Sequence, residues 1–306
     1  MKQNSATTTL IGTTLWAAVF ATFFAVETVS AQGSGAGAGV YLSGAERIDV
    51  SDRIRTQSQR VAVISCLIDA GIDAEAHRAT LTASLAEVDK MLAVMNDGDA
   101  ALGITVPEDD RRMLAAIRGI KLQWNPFKVE AQTRLGTGTP APGPDFVSRQ
   151  NLNLMHVSKN LISETINHYS IPPALLQLDA YTLQIVARQR ALSQQIAKEA
   201  CGILTGNPIM GNQPRLTNAI ARFDASFNAL LNGFPAAGVS APATPEIKAA
   251  LSAMSESWGN VKAELAQVTP NGGAEQAQNL FRQLDSLRDQ YDDLVPNYVV
   301  QSKSGI

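Results

Sequence analysis

The sequence predicts an all-α protein: two tandem antiparallel four-helix bundles forming a pseudo-twofold dimer within one chain. Three observations carry this expectation. Long stretches rich in Ala, Leu, Gln, Arg and Ser hold little Gly or Pro, which favours helix. Residues 52–98 align without a gap with residues 187–233 at an offset of 135, with 13 identities in 47 positions. Random pairing at average composition gives about 3, so the chain is read as an internal duplication. At an offset of 134 the match continues, with Ala115-Ala116, Trp124, Lys128 and Glu130 facing Ala249-Ala250, Trp258, Lys262 and Glu264. Finally, helix-ending residues recur in step: Gly71, Gly98, Gly206 and Gly233 stand where helix C-termini favour positive φ.

The elements follow in order. Met1-Lys2 gives a positive start, residues 10–26 are mostly apolar, and Val29-Ser30-Ala31 precedes Gln32. This is the pattern of a secretory signal peptide over 1–31. An uncleaved anchor is the alternative, since about 17 apolar residues is the lower limit for a membrane span. Either way the rest of the chain is expected in the periplasm. Residues 32–44, rich in Gly, Ser and Ala, read as a flexible lead-in. Copy 1 (45–170) is predicted as helices over 45–70, 74–97, 108–134 and 146–169, and copy 2 (171–300) as helices over 173–205, 214–232, 245–268 and 274–295. Pro107 and Pro245 fall at helix starts, where a missing N–H costs little. The Gly/Thr/Pro run 136–144 is a loop. Four helices of similar length joined by short loops suggest an up-down-up-down bundle.

Composition narrows the function. A formal net charge of −3 over 306 residues, with 17% charged and 6% aromatic residues, excludes a basic nucleic-acid binder and an acidic disordered chain. Two cysteines and three histidines, with no Cys-x-x-Cys and no paired-His motif, predict no metal and no cofactor. No nucleophile, base and orienting group fall together by repeat or spacing, so no enzyme is expected. Trp124 and Trp258 read as packing residues, His77, His156 and His168 as ordinary core or surface positions. Glu108-Asp109-Asp110 and Asp292-Asp293 read as helix-start and solvated charges.

The first helix of each copy carries the candidate site. Advancing about 100° per residue, Val50, Ile54, Val61, Ile64 and Ile68 make one apolar seam, and Arg55, Gln59, Ala62 and Cys66 make a second stripe nearly opposite. The matching residues of copy 2 are Arg190, Gln194, Ala197 and Cys201. Identity at all four positions, on a face away from one core, predicts that the two stripes pack together. The helices would then run parallel about a pseudo-twofold axis. Cys66 would meet Cys201, and an oxidising compartment would join them; two buried free thiols are the alternative. Arg53 and Arg188 fall toward the core side and read as interhelix hydrogen-bonding or salt-bridge residues. Arg55 and Arg190 on a shared seam repel unless an anion lies between them. Their forked donors suit a small planar anion, with Gln59 and Gln194 as neutral donors. The bland alternative is a pair of solvated helix arginines making i,i+4 contacts.

Two stretches, Ile54-Arg55-Thr56-Gln57-Ser58-Gln59-Arg60 and Gln189-Arg190-Ala191-Leu192-Ser193-Gln194-Gln195, carry a family resemblance, as does the second-helix stretch 222–233 ending in Gly233. The chain resembles the PilJ-type domain, the N-terminal sensory domain of type IV pilus methyl-accepting chemotaxis transducers. That domain is related to the periplasmic sensors of NarX-like nitrate/nitrite kinases. The resemblance covers nearly all of 45–298, twice over. It implies a periplasmic four-helix bundle. In nitrate-sensing members an arginine of this motif binds the anion between two first helices; by position that is Arg55 in copy 1 and Arg190 in copy 2. No transmembrane pair or output domain accompanies the motif in these residues. The resemblance therefore implies signalling through a separate membrane-bound receptor or pilus component.

Two functional expectations result: a periplasmic sensor-type protein for a small anion, nitrate or nitrite first, or a structural or interaction module of type IV pili or the cell envelope with no small ligand.

Overall fold

The computed structural model describes residues 43–136, 145–206, 211–270 and 272–304. The expected leader 1–31 and residues 32–42 of the lead-in lie outside the described residues, as do residues 137–144 of the loop. Eight α-helices follow one another, α1 (Gly44–Asp69), α2 (Ala74–Asp97), α3 (Arg111–Gln132), α4 (Asp145–Tyr169), α5 (Gln177–Leu204), α6 (Asn212–Asn232), α7 (Pro245–Leu265) and α8 (Ala274–Ser304). There is no strand among the described residues beyond two isolated bridges. In copy 1, α1 packs on α2 and α4, and α3 covers α4; α5 to α8 repeat the arrangement.

The most extensive helix contact is between α1 and α5, and it makes both of them interior helices. They are parallel, because Cys66 meets Cys201 near their C-terminal ends while Asp49 meets Arg190 toward the other. Ile54, Val61 and Ile64 are buried, and so are Arg55, Gln59 and Ala62 on the opposite side. Polar residues survive in this interior by bonding to their own helix. Ser51 donates to the Ile48 carbonyl at 2.8 Å, Thr56 to Asp52 at 2.9 Å, Ser58 to Arg55 at 2.7 Å and Ser65 to Val61 at 2.8 Å. In α5 the duplicated Ser193 donates to the Arg190 carbonyl at 2.8 Å.

The duplication is visible atom by atom. Trp124 and Lys128 on α3 both donate to Asp89 on α2, at 2.8 and 2.5 Å. Trp258 and Lys262 repeat this on Asp224, at 2.7 and 3.1 Å. After α2 and α6 the chain makes the same tight turn, closed by bridges Asp99–Ile104 and Phe234–Val239. Gly98 and Gly233 enter it with φ of +81° and +78°. A Cβ there would stand 2.8 Å from the Ile104 carbonyl oxygen and 3.0 Å from the Ala241 nitrogen, so glycine is required.

Three element boundaries differ from the sequence reading. Helix α3 starts at Arg111 rather than 108, because Asp110 caps it, accepting from the backbone N–H groups of Arg112 and Met113 at 2.9 Å each. Glu108, expected as a solvated charge, turns inward instead. It accepts from Arg47 at 3.1 Å and from the Tyr169 hydroxyl at 2.5 Å, with both ion-pair side chains fully buried. Helix α8 runs past Pro296 to Ser304, because Val295 and Tyr298 are buried against the bundle and outweigh the hydrogen bond that proline forfeits. The Pro172-Pro173 bond is cis, and α5 begins only at Gln177.

Cys66 and Cys201 form a disulfide with Cα atoms 6.4 Å apart, closing a separation of 135 residues. Closure of a loop that long stabilises by up to about 5 kcal/mol through chain entropy. The Cys66→Ala/Cys201→Ala variant is expected to keep its far-ultraviolet helicity and lose several degrees of Tm. Unreduced mass spectrometry of the parent should show no free thiol.

Candidate functional site

On one side of the α1–α5 seam, four basic side chains from four helices converge on a single small cavity. Arg55 comes from α1, Lys159 from α4, Arg188 from α5 and Arg222 from α6, with the carboxamides of Gln59 and Gln195 completing the polar lining. Met155 and Leu192 supply an apolar wall. The space measures about 10 Å³, the room that one water needs.

The hydrogen bonding around it is incomplete. Arg55 binds the wholly buried Asp52 one turn earlier, yet its Nε is buried without a partner, as is Asp52 Oδ2. Arg188 donates to Ser226 Oγ at 2.8 Å while its Nε has no partner. Both polar atoms of the Gln59 carboxamide are buried without a hydrogen bond, although the residue is only 1% exposed. Buried polar groups are normally satisfied, so this concentration of orphans at one cavity calls for a ligand or water there. Among the described residues no ion pair holds Arg188, Arg222 or Lys159.

Charge is correspondingly unbalanced. Burial and then the neighbouring Arg55 and Arg222 push the Arg188 guanidinium down to about 10. Burial and the same arginine cluster lower the Lys159 ammonium. Burial also lowers Arg55, with Asp52 opposing and Arg222 and Arg190 adding to the effect. Asp52 is raised, because burial outweighs the attraction of Arg55, Arg190 and Arg188. Four cations line the cavity and no carboxylate does, so the pocket is electropositive. Among the described residues no cluster of three or more His, Cys, Asp or Glu is placed to hold a metal.

The four residues singled out in the sequence are divided between two places. Arg55 and Gln59 line the cavity. Arg190, fully buried, points away from it and donates to Asp292 at 2.9 Å and Asp49 at 2.5 Å. Burial disfavours its charge, but these two carboxylates outweigh burial and raise Arg190 well above the usual arginine range. Gln194 donates to the Leu284 carbonyl at 3.5 Å. Of the two, only Arg55 lines the cavity, and each is ion-paired with a carboxylate of its own. Arg53 pairs with Asp49 of its own helix at 3.2 Å and reaches Glu87 on α2 at 3.9 Å; Arg188 makes an interhelix hydrogen bond and also faces the cavity. The sequence reading passed over Lys159, Arg222 and Gln195. A signal for Arg222 existed: at the offset of 135 it stands opposite Glu87, a charge reversal hidden when only identities are weighed.

Arg190 and Arg222 predict opposite stability effects. Arg190→Met leaves two carboxylates without their buried cation and is expected to cost about 3 kcal/mol. Arg222→Met removes only repulsion and should leave stability unchanged or raised in low-salt buffer. Denaturant unfolding of the two variants checks this.

The family model for the type IV pili methyl-accepting chemotaxis transducer N-terminal domain (PilJ) matches residues 41–142 and 176–294. No curated protein matches the chain.

Proposed function

The chain belongs to the family of type IV pili methyl-accepting chemotaxis transducer N-terminal domains (PilJ), and from that premise we propose that it is a periplasmic sensor-type module that binds a small anion in the cavity of Arg55, Arg188, Arg222 and Lys159. The observation that carries this reading is the convergence of four cations and the unpartnered Gln59 carboxamide on one small cavity. Nitrate and nitrite are the first candidates, because planar oxyanions match the forked donors of arginine. Lys159, one of the lining residues, is also solvent-exposed. The cavity spans both copies, so its occupant bears on the α1–α5 packing, and the signal passes to a separate membrane-bound receptor or pilus component. No catalytic step is assigned to it.

A second reading, an envelope or pilus interaction module without a ligand, is favoured by one observation. Leu176, Leu178 and Tyr181 at the start of α5 and Phe234 in the turn after α6 are exposed. Such side chains at one end of a bundle suit a protein partner.

Thermal unfolding of residues 32–306 with nitrate, nitrite, sulfate and acetate separates the two readings. A saturable rise is expected for one of them, about 2.7 kcal/mol at a hundredfold excess over Kd. Arg188→Ala and Arg222→Ala, neither of which strands a carboxylate, should each abolish it. No rise with any anion favours the interaction module.

The pH dependence has a definite sign. A bound anion stabilises the charged forms of Lys159 and Arg188, so the complex holds more protons than the free protein. Affinity should therefore be greatest near neutrality and fall as pH rises toward 10, where Arg188 titrates, with Lys159 losing its proton below its ordinary 10.5. Titration calorimetry between pH 7 and about 10 measures this.

A further inference from the structure

A second space opens on the outer side of copy 2, in the seam between α7 and α8. Ser257, Asn260 and Val261 of α7 and Arg282, Ser286 and Gln290, spaced by four along α8, line a groove of about 460 Å³. Small-molecule sites measure about 300–1,000 Å³. The duplication shows how the groove arises. Buried positions align α8 with α4 at an offset of 133, placing Leu280, Leu287 and Leu294 on Val147, Leu154 and Leu161. In that register Arg282-Gln283 repeats Arg149-Gln150, while Gln290 replaces Val157. On α7, at an offset of 134, Val261 replaces the fully buried Phe127 and Asn260 replaces Pro126. Copy 2 thus lacks a phenyl ring in the floor of the seam and gains carboxamides on its walls. Accordingly α7 packs on α8 less extensively than α3 packs on α4. Toward the C-terminal end of α7 the seam is closed, where Gln283 donates to the Glu264 carboxylate.

The lining has a definite chemistry. Serine hydroxyls and Asn or Gln carboxamides each donate and accept, as recognition of a ligand's hydroxyl groups requires. Arg282 is the one cation in the lining, and no carboxylate lines the groove. It donates to the neutral Asn279 carboxamide, and among the described residues no carboxylate pairs with it. A guanidinium in that position suits a ligand carboxylate, which it can hold by two parallel hydrogen bonds. We propose that the groove binds a hydroxylated carboxylate of sugar-acid size. Arg282 takes the carboxylate, and Ser257, Asn260, Ser286 and Gln290 take the hydroxyls, over the apolar floor of Val261. The groove shares no lining residue with the Arg55 cavity, so the proposal does not rest on the anion reading of that cavity.

Titration calorimetry and thermal unfolding of the full chain, with its disulfide intact and at constant ionic strength, test this. The probes are glucuronate, gluconate, glucose and acetate, each applied to the parent and to Arg188→Ala, which silences the Arg55 cavity. One of the two sugar acids is expected to bind both proteins equally, at one site per chain. It should raise Tm by about 3–6 °C at about tenfold excess over Kd. In Arg188→Ala, glucose and acetate, each with half of the required groups, should bind at least about tenfold more weakly. Arg282→Gln should weaken sugar-acid binding by about tenfold or more. Ser257→Gln, which puts the larger copy 1 side chain into the groove, should weaken it too. Arg282 is exposed and Ser257 half-buried, so far-ultraviolet helicity should be kept in both. Binding of neither sugar acid overturns the proposal, as does binding that both groove variants leave intact. Sugar-acid binding lost in Arg188→Ala but kept in Arg282→Gln overturns it as well, and assigns the ligand to the Arg55 cavity. The opposite pattern, with no response to nitrate or nitrite, supports the groove and refutes the anion reading of the cavity alone.

Discussion

The parallel contact between α1 and α5 is the constraint on which the rest of the molecule depends. Each helix is enclosed by its own bundle on one side and by the other copy on the other, so beyond the exposed first turns of α5 neither presents a broad face to water. A helix buried all round is ordinarily apolar, but these carry Arg47, Asp52, Arg55, Gln59, Gln189, Arg190, Lys198 and Glu199 in the interior. Each such group is costly unless paired. Serines and threonines are satisfied by their own helix, and most charges by another helix: Arg60 forks onto Asp285 at 2.9 and 2.8 Å, and Lys198 reaches Asn151 at 2.9 Å. The disulfide at Cys66–Cys201 and these cross-copy bonds make the two bundles one unit.

Within that unit the cavity gathers several buried polar atoms without partners. Around Arg190 the cations and carboxylates balance, and the guanidinium is held firmly charged. Around Arg55 cations exceed carboxylates and the Gln59 carboxamide has no partner. Local electrostatic strain of this kind lowers stability and is retained where binding relieves it. A duplicated chain can tolerate it on one side because the other side is tied down. The duplication thus permits two different roles for one motif: one arginine fastens α8 to the central pair, and the other faces a cavity.

The fold class, the duplication and the disulfide partners were legible in the sequence, because they depend on local or self-referential signals. Helix periodicity, glycine at the Gly98 and Gly233 turns, and identity at the offset of 135 are each properties of the chain itself. The Arg55–Gln59 stripe was legible for the same reason: two copies of one helix can be compared without knowing what surrounds them. What surrounds them was decided by the tertiary structure alone. Whether Arg190 meets an anion or Asp292, and whether Glu108 is solvated or buried under Tyr169, depends on partners about 100 and 60 residues away. Charges act through space at a few ångströms, and no periodicity along the chain records which helix brings the opposite sign within that reach.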